Sequence, residues 1–371
     1  MRNRAWTCIT ESAYRQDHRR SEGADPVPDS RLRLAALLSP ARAADVVDPA
    51  TRRLLDERFE VVWAGEQHLA GVDDPTKPAA LDPAAVPELA AGADVVLTSW
   101  GTPTLGKELW SAGTGPKVVA HAAGTVKNLI DPAILDQGVS VFSAGPRIAW
   151  SVGEYCLASM LTLARRLPRF DGAIRAGGWK QSGFRGHELA GAKVGIVGAS
   201  STARALITLL KPFGCDIVVY DPYLNAERAA QLGVRTAELG ETVDSAFLTI
   251  HVPNVPETKG MITRELITRI PDGAVVVNSS RGPAIDQAAL LEHVLGGRLY
   301  AALDVYDPEP PRFEESVLRA ENLLLSPHVA GDTAEGHLAL AGYVLKDALS
   351  WLDHGTRGPS FVDPAVWSIA A

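Results

Sequence analysis

Residues 193–222 read KVGIVGASSTARALITLLKPFGCDIVVYDP. An apolar run, Lys193–Val197, turns through Gly198, Ala199, Ser200, Ser201, Thr202 and Ala203 into a helical pattern, Arg204–Phe213, that ends at Gly214. A second apolar run, Asp216–Tyr220, ends in Asp221. Strand, glycine-bearing turn, helix, strand and acid in that order form the frame of a dinucleotide site. The helix N-terminus would receive a pyrophosphate, and the acid would bond a ribose 2′-hydroxyl. The turn departs from G-x-G-x-x-G: Gly198 stands, Ser200 takes the close-approach position and Ala203 the helix-packing position. Ala203 is small enough for its place. Ser200 either holds a phosphate farther away or offers its own hydroxyl. By itself the turn reads equally as a generic strand–helix connection, and Asp221 before Pro222 as an ordinary turn.

The same alternation runs outward in both directions. Strands are predicted after it at Phe247–Val252, Ala274–Asn278, Leu299–Leu303 and Leu323–Ser326. Before it they are predicted at Arg31–Leu38, Phe59–Trp63, Asp94–Ser99, Lys117–His121 and Val139–Phe142, with Arg52–Arg58 and Pro83–Ala91 among the intervening helices or loops. Continuous apolar strands between helices are the pattern of parallel sheets covered on both faces, so the fold class is α/β with two doubly wound domains. Ser151–Arg166 is a long helical pattern whose Ser151 and Glu154 are spaced as a capping box, and it bridges the halves. Ala176–Glu188 has no clear period and reads as a loop suited to subunit contacts. Thr333–Leu352 aligns Leu338, Ala341, Val344, Leu345, Ala348, Leu349 and Leu352 on one helical face, which would cross back to the first domain. The expected division is residues 31–150 plus 331–371 for one domain and 151–330 for the other, with residues 1–30 as a polar extension.

Composition narrows the function. The 371 residues hold 44 acids and 36 Lys plus Arg, a net charge of −8, and 46% are apolar. This composition excludes a disordered chain, and the acidic balance disfavours nucleic acid as partner. No apolar run is long enough for a membrane span, and the first 30 residues lack the apolar core of a signal peptide, which suits a cytoplasmic protein. Cys8, Cys156 and Cys215 have neither the number nor the spacing of a disulfide scaffold or a metal site, so no metal is expected.

Three further segments place a polar residue just beyond a predicted parallel strand, on the edge where open α/β sheets bind ligands. They are VVVNSSRG at 275–282, AALDVYDPEPP at 301–311 and LSPHVAG at 325–331, carrying Arg281, Glu309 and His328. Singly, each has a plain reading: a surface charge, a loop acid, a structural histidine. Together with the turn at Gly198, their order resembles the D-isomer-specific 2-hydroxyacid dehydrogenase family over nearly everything from Arg31 onward. The most specific parts are SVGE at 151–154, HVPNVPETKGMI at 251–262, NSSRG at 278–282, DVYDPEP at 304–310 and SPHVAG at 326–331.

The resemblance implies a Rossmann NAD-binding domain inserted in a flavodoxin-like substrate domain, a homodimer, and reduction of a small 2-keto acid. It matches Arg281 to the residue that grips the substrate carboxylate, His328 to the acid/base and Glu309 to the carboxylate that orients it. Gly198, Ser200, Ser201, Thr202, Asp221, Val252, Pro253, Ser279, Asp304 and Gly331 match cofactor positions, and the His251 side chain is read as structural. Gly124 and Thr125, in HAAGTVKN, correspond to the substrate loop, although that loop departs from the commoner Gly-Val-Gly form. Trp100 is expected to line the side-chain pocket. Asp221 points to NADH over NADPH, and Glu309, where the formate dehydrogenase branch carries an amide, disfavours formate. The short stretch after the last helix is expected to leave no room for an appended regulatory domain. An NAD-sensing corepressor and a phosphite dehydrogenase are the alternatives on the same scaffold.

Overall fold

The computed structural model describes residues 31–71, 79–111, 113, 115–180 and 184–369, so the N-terminal extension lies outside the described residues. Among the described residues, twelve strands form two wholly parallel sheets. The first contains β1 (Leu32–Ala36), β2 (Phe59–Trp63), β3 (Val95–Thr98), β4 (Val118–His121) and β5 (Ser140–Ser143), in the order 2-1-3-4-5. The second contains β6 (Lys193–Val197), β7 (Asp216–Tyr220), β8 (Arg235–Thr236), β9 (Phe247–Ile250), β10 (Val275–Asn278), β11 (Tyr300–Leu303) and β12 (Leu323–Leu325), in the order 12-11-10-9-6-7-8. The fold class is therefore α/β with two parallel-sheet domains, the first sheet in flavodoxin-like order. Among the described residues no helix is long and apolar enough to cross a membrane.

Register positions the site. Val197 pairs with both Tyr220 and Ile250, Asn278 with both Ile250 and Leu303, and Leu303 with Leu325. The residues that follow, Gly198, Asp221, His251, Ser279, Asp304 and Ser326, consequently emerge side by side on one carboxyl edge. In the first sheet Thr98, His121 and Ser143 are aligned in the same way.

Three local readings are corrected. The bridging helix runs Gly145–Ala164, starting six residues before Ser151, with Pro146 at its first turn. Ser151 and Glu154 therefore form no capping box: the Ser151 hydroxyl bonds Thr333 Oγ1 at 3.1 Å, and Glu154 accepts from Trp150 Nε1 at 2.9 Å. The helix after Gly198 starts earlier than expected, at Ser201, and ends at Leu210. The C-terminal pattern is two helices, Ala334–Leu338 and Leu340–His354, which leaves Leu338 exposed. The short edge strand β8 has too little apolar sequence to be seen in advance.

Packing follows from those faces. Leu340, Ala341, Val344, Leu345, Ala348 and Leu349 join Leu34, Ala36, Val95, Leu97, Val118 and Ala120 in one buried cluster on the first sheet. The helix Gly145–Ala164 lies against Ser201–Leu210, where Gly153 lets the backbones approach: a Cβ there would sit 3.0 Å from Leu206 N. Cys156, Met160 and Leu163 from the first helix and Ala203, Leu206, Ile207 and Leu210 from the second fill the core beneath the turn at Gly198.

Candidate active site

The loop after β12 carries His328 in a left-handed backbone conformation, φ 56°, which disfavours a side chain larger than glycine's. Asp304 holds that loop in place. Fully buried at 0% exposure, its carboxylate accepts from Ser326 Oγ at 2.5 Å, Val329 N at 2.9 Å and Ala330 N at 2.8 Å. Ser326 Oγ also lies 2.7 Å from the Tyr155 hydroxyl, and Ser326 N donates to the Tyr306 hydroxyl at 3.1 Å. Such a network over-determines one loop shape, which is how a strained residue persists.

Held this way, His328 Nδ1 lies 3.0 Å from Glu309 Oε2, and Glu309 Oε1 accepts from Tyr306 N at 3.0 Å. Burial opposes ionisation of Glu309. The bonds from His328 and the Tyr306 amide, with the charge of Arg281, outweigh it and hold the carboxyl below its ordinary value. With Nδ1 committed to the carboxylate, Nε2 is the ring nitrogen left to face a substrate oxygen.

Arg281 leaves the end of β10 through a turn tied by Asn278, whose Nδ2 donates to Arg281 O at 2.9 Å and whose Oδ1 accepts from Ser280 N at 3.2 Å. The next residue must be glycine, because a Cβ on Gly282 would lie 2.0 Å from the Tyr306 carbonyl. Burial lowers the Arg281 pKa and the charge of Glu309 works against that shift; arginine stays cationic throughout. Arg281, Glu309 and His328 are thus brought to one place.

The first sheet contributes the HAAGTVKN loop. His121 bonds Thr98 Oγ1 at 2.9 Å and the Thr125 backbone; burial brings its pKa down to about 4, so it is a neutral strut. The Gly124 carbonyl accepts from the Ser143 hydroxyl, and Lys127 N donates to Thr125 Oγ1 at 3.3 Å. The Lys127 amine is lowered from its ordinary pKa by burial and then by the charge of Arg281. Sequence reasoning passed over Lys127. Its signal was a cation two positions beyond Thr125. Trp100 follows β3 and stacks on His337, ring centroids 5.1 Å apart, with the Arg42 guanidinium 5.3 Å from its ring. His337 is itself held between Asp45 and Asp332, at 3.0 and 3.2 Å, so Trp100 belongs to a polar cluster.

The other candidate positions line the edge of the second sheet. Gly198 has φ 94°, and a Cβ there would lie 2.6 Å from His251 O, so this glycine is required twice over. Ser200 is the N-cap of Ser201–Leu210 with φ −62° and ψ 176°, an ordinary extended conformation, and its side chain does not cap the helix. The first amides of a ten-residue helix are thereby left without a side-chain partner, a ready cradle for an anion. Asp221 accepts from Ala199 N at 2.6 Å and Tyr223 N at 2.7 Å, tying the end of β7 to the turn. Val252 and Pro253 follow β9, with Val252 buried. Ser279 Oγ lies 3.1 Å from Cys156 Sγ. Gly331 packs against the bridging helix, where a Cβ would meet Ile148 Cγ2 at 2.8 Å. The glycine turn, the open helix end and the acid beyond β7 fit a dinucleotide.

The chain is similar to known proteins over most of its length. Residues 157–330 match the model of the D-isomer specific 2-hydroxyacid dehydrogenase NAD binding domain. The chain is 34% identical over 321 residues to the D-3-phosphoglycerate dehydrogenase of Mycobacterium bovis, an alignment covering 83% of this chain and 58% of that protein. It is 32% identical over 232 residues to the hydroxypyruvate reductase of Thermotoga maritima, covering 62% of this chain and 75% of that protein. Among solved structures, a phosphoglycerate oxidoreductase from Rhizobium etli superposes with a TM-score of 0.73 at 23% identity, over 89% of this chain and 98% of that one. The chain spans less than two thirds of the length of the phosphoglycerate dehydrogenases that it matches.

Proposed function

This chain belongs to the D-isomer specific 2-hydroxyacid dehydrogenase family, and from that premise we propose that it is an NAD-dependent oxidoreductase interconverting a small 2-keto acid and its D-2-hydroxy acid. The observation that carries the reading is the convergence of Arg281, Glu309 and His328 on the same sheet edge as an open helix N-terminus. Arg281 binds the substrate carboxylate through its planar fork. Gly124 and Thr125 close on the same carboxylate from the first sheet. Bound NADH supplies the hydride. His328 Nε2 donates the proton to the keto oxygen, and Glu309 on Nδ1 steadies the imidazolium. Asp304 fixes the loop that aims His328, besides standing where the family places a nicotinamide contact. Gly198, Ser200, Ser201, Thr202, Asp221, Val252, Pro253, Ser279 and Gly331 hold the dinucleotide, with NADH preferred.

In the same reading the domains divide at residues 150 and 331, and two copies pair. Support for pairing comes from Leu167, Phe170 and Ile174 on the helix Leu167–Arg175 and from Trp179, all exposed, Trp179 at 79%. Exposed large apolar side chains grouped in this way mark an interaction surface. The deciding experiment is a screen of 2-keto acids, glyoxylate and hydroxypyruvate first, with NADH consumption followed by absorbance. Turnover of at least one acid that is lost in Arg281→Ala and His328→Ala supports the proposal; NADH binding without turnover of any acid overturns it.

A further inference from the structure

Beneath the dinucleotide turn, side chains from three elements form a hydrogen-bonded chain. Ser200 Oγ lies 2.9 Å from Thr202 Oγ1, Thr202 Oγ1 lies 2.9 Å from His251 Nδ1, and His251 Nε2 lies 2.9 Å from Thr249 Oγ1. Thr249 also bonds the Cys156 thiol, whose sulfur reaches Ser279 Oγ. His251 and Thr249 are buried, at 2% and 0% exposure. We propose that His251 is a positioning residue for the pyrophosphate of the dinucleotide: carrying its proton on Nδ1, it turns the hydroxyls of Thr202 and Ser200 outward so that Ser200 donates to a phosphate oxygen. The inference rests on the NAD-binding reading and adds to it a route by which this chain does without the second glycine.

The polarity of the chain follows from counting protons. Burial pushes His251 down to about 3, so at working pH the ring is neutral, with one donor and one acceptor nitrogen. If Nδ1 holds the proton, it donates to Thr202 Oγ1, the Thr202 hydroxyl donates to Ser200 Oγ, and the Ser200 hydrogen is left for an external acceptor. At the other end Thr249 donates to Nε2 and keeps a lone pair for the Cys156 thiol, which burial holds protonated with a pKa of about 11. With the proton on Nε2 every bond reverses, and Ser200 offers an arriving phosphate only lone pairs. An anion therefore selects the first arrangement. The backbone agrees: Ser200 sits in an ordinary extended conformation, so a side chain costs nothing there, and its hydroxyl is engaged with Thr202 and leaves the helix amides uncapped.

The test titrates the full chain with NADH, ADP-ribose and adenosine by calorimetry and reads the His251 tautomer in the ADP-ribose complex by long-range nitrogen–proton NMR. Ser200→Ala and Thr202→Val should each weaken NADH and ADP-ribose about fivefold, the worth of one hydrogen bond. The double variant should be no weaker than either single one, since they interrupt one chain. Adenosine, which lacks the phosphates, should bind unchanged, Thr202→Ser should restore affinity, and the tautomer should be Nδ1–H. Binding by Ser200→Ala within twofold of wild type, tighter binding by Ser200→Gly, or an Nε2–H tautomer in the complex overturns the inference while leaving NAD binding intact. Failure of the wild type to bind NADH and ADP-ribose at millimolar concentration overturns both.

Discussion

Arg281→Lys keeps the charge and removes the fork. The ammonium makes one point contact where the guanidinium makes two parallel ones, so kcat/KM for a 2-keto acid should fall by the value of one charge-assisted bond, about 1.5–3 kcal/mol or roughly tenfold to 150-fold. Steady-state kinetics checks this, and a loss under twofold would remove the carboxylate-clamp role. Glu309 sits below its ordinary pKa because the His328 and Tyr306 bonds overcome burial, so it is ionised at neutral pH. Its stabilising contact is complete above the ordinary carboxylate pKa and is lost as pH falls through the lowered folded value. Reduction needs a proton on the histidine, so its rate should decline as pH rises, and oxidation should show the reverse. Glu309→Gln removes the carboxylate that faces this imidazole, so the decline should set in at lower pH; an unshifted profile would break the partnership. Asp221 lies within charge range of Arg204, which is also pressed by Arg228. Asp221→Asn keeps an oxygen acceptor for the turn while removing the charge that repels a 2′-phosphate. The NADPH to NADH ratio of kcat/KM should therefore rise roughly tenfold, about 1.4 kcal/mol; an unchanged ratio would relieve Asp221 of that role.

Among the elements, the helix Leu340–His354 depends on one buried stripe. Leu345 is fully buried against the first sheet, so Leu345→Ala should cost about 2–5 kcal/mol in urea unfolding, the range for a core leucine that leaves a cavity. A cost below 1 kcal/mol would mean that the helix does not anchor that sheet. The stripe was legible from apolar spacing because helical period is a local property. The break before Leu340 was not, since the spacing continues across it; Thr333 caps the short first helix by accepting from Gly336 N at 3.1 Å. The capping-box reading of Ser151 failed for the same reason: a Ser and a Glu three apart mark a helix start only if the chain is not already helical, and the helix begins at Gly145.

At the scale of the whole molecule, the exposed apolar face of Leu167–Arg175 gives the pairing proposal a direct check. Leu167→Ser combined with Ile174→Ser should convert a sedimenting dimer into a monomer, and an unchanged sedimentation coefficient would place the interface elsewhere. What the sequence determined unaided was whatever depends on neighbours along the chain: strand runs such as Phe59–Trp63 and Lys193–Val197, the glycine demanded at 198, and the polar residues that follow strand ends. The tertiary structure alone decided which strand ends lie side by side, because sheet order is set by packing and crossovers. That order joins Arg281, Glu309 and His328 from three separate loops, brings Lys127 from the other sheet into the field of Arg281, and commits Asp304 to three hydrogen bonds with the loop of His328. It also linked Ser200 to His251, about 50 residues on, through Thr202. A side chain's partners across a sheet edge are fixed by register and burial, and a linear pattern holds no record of either.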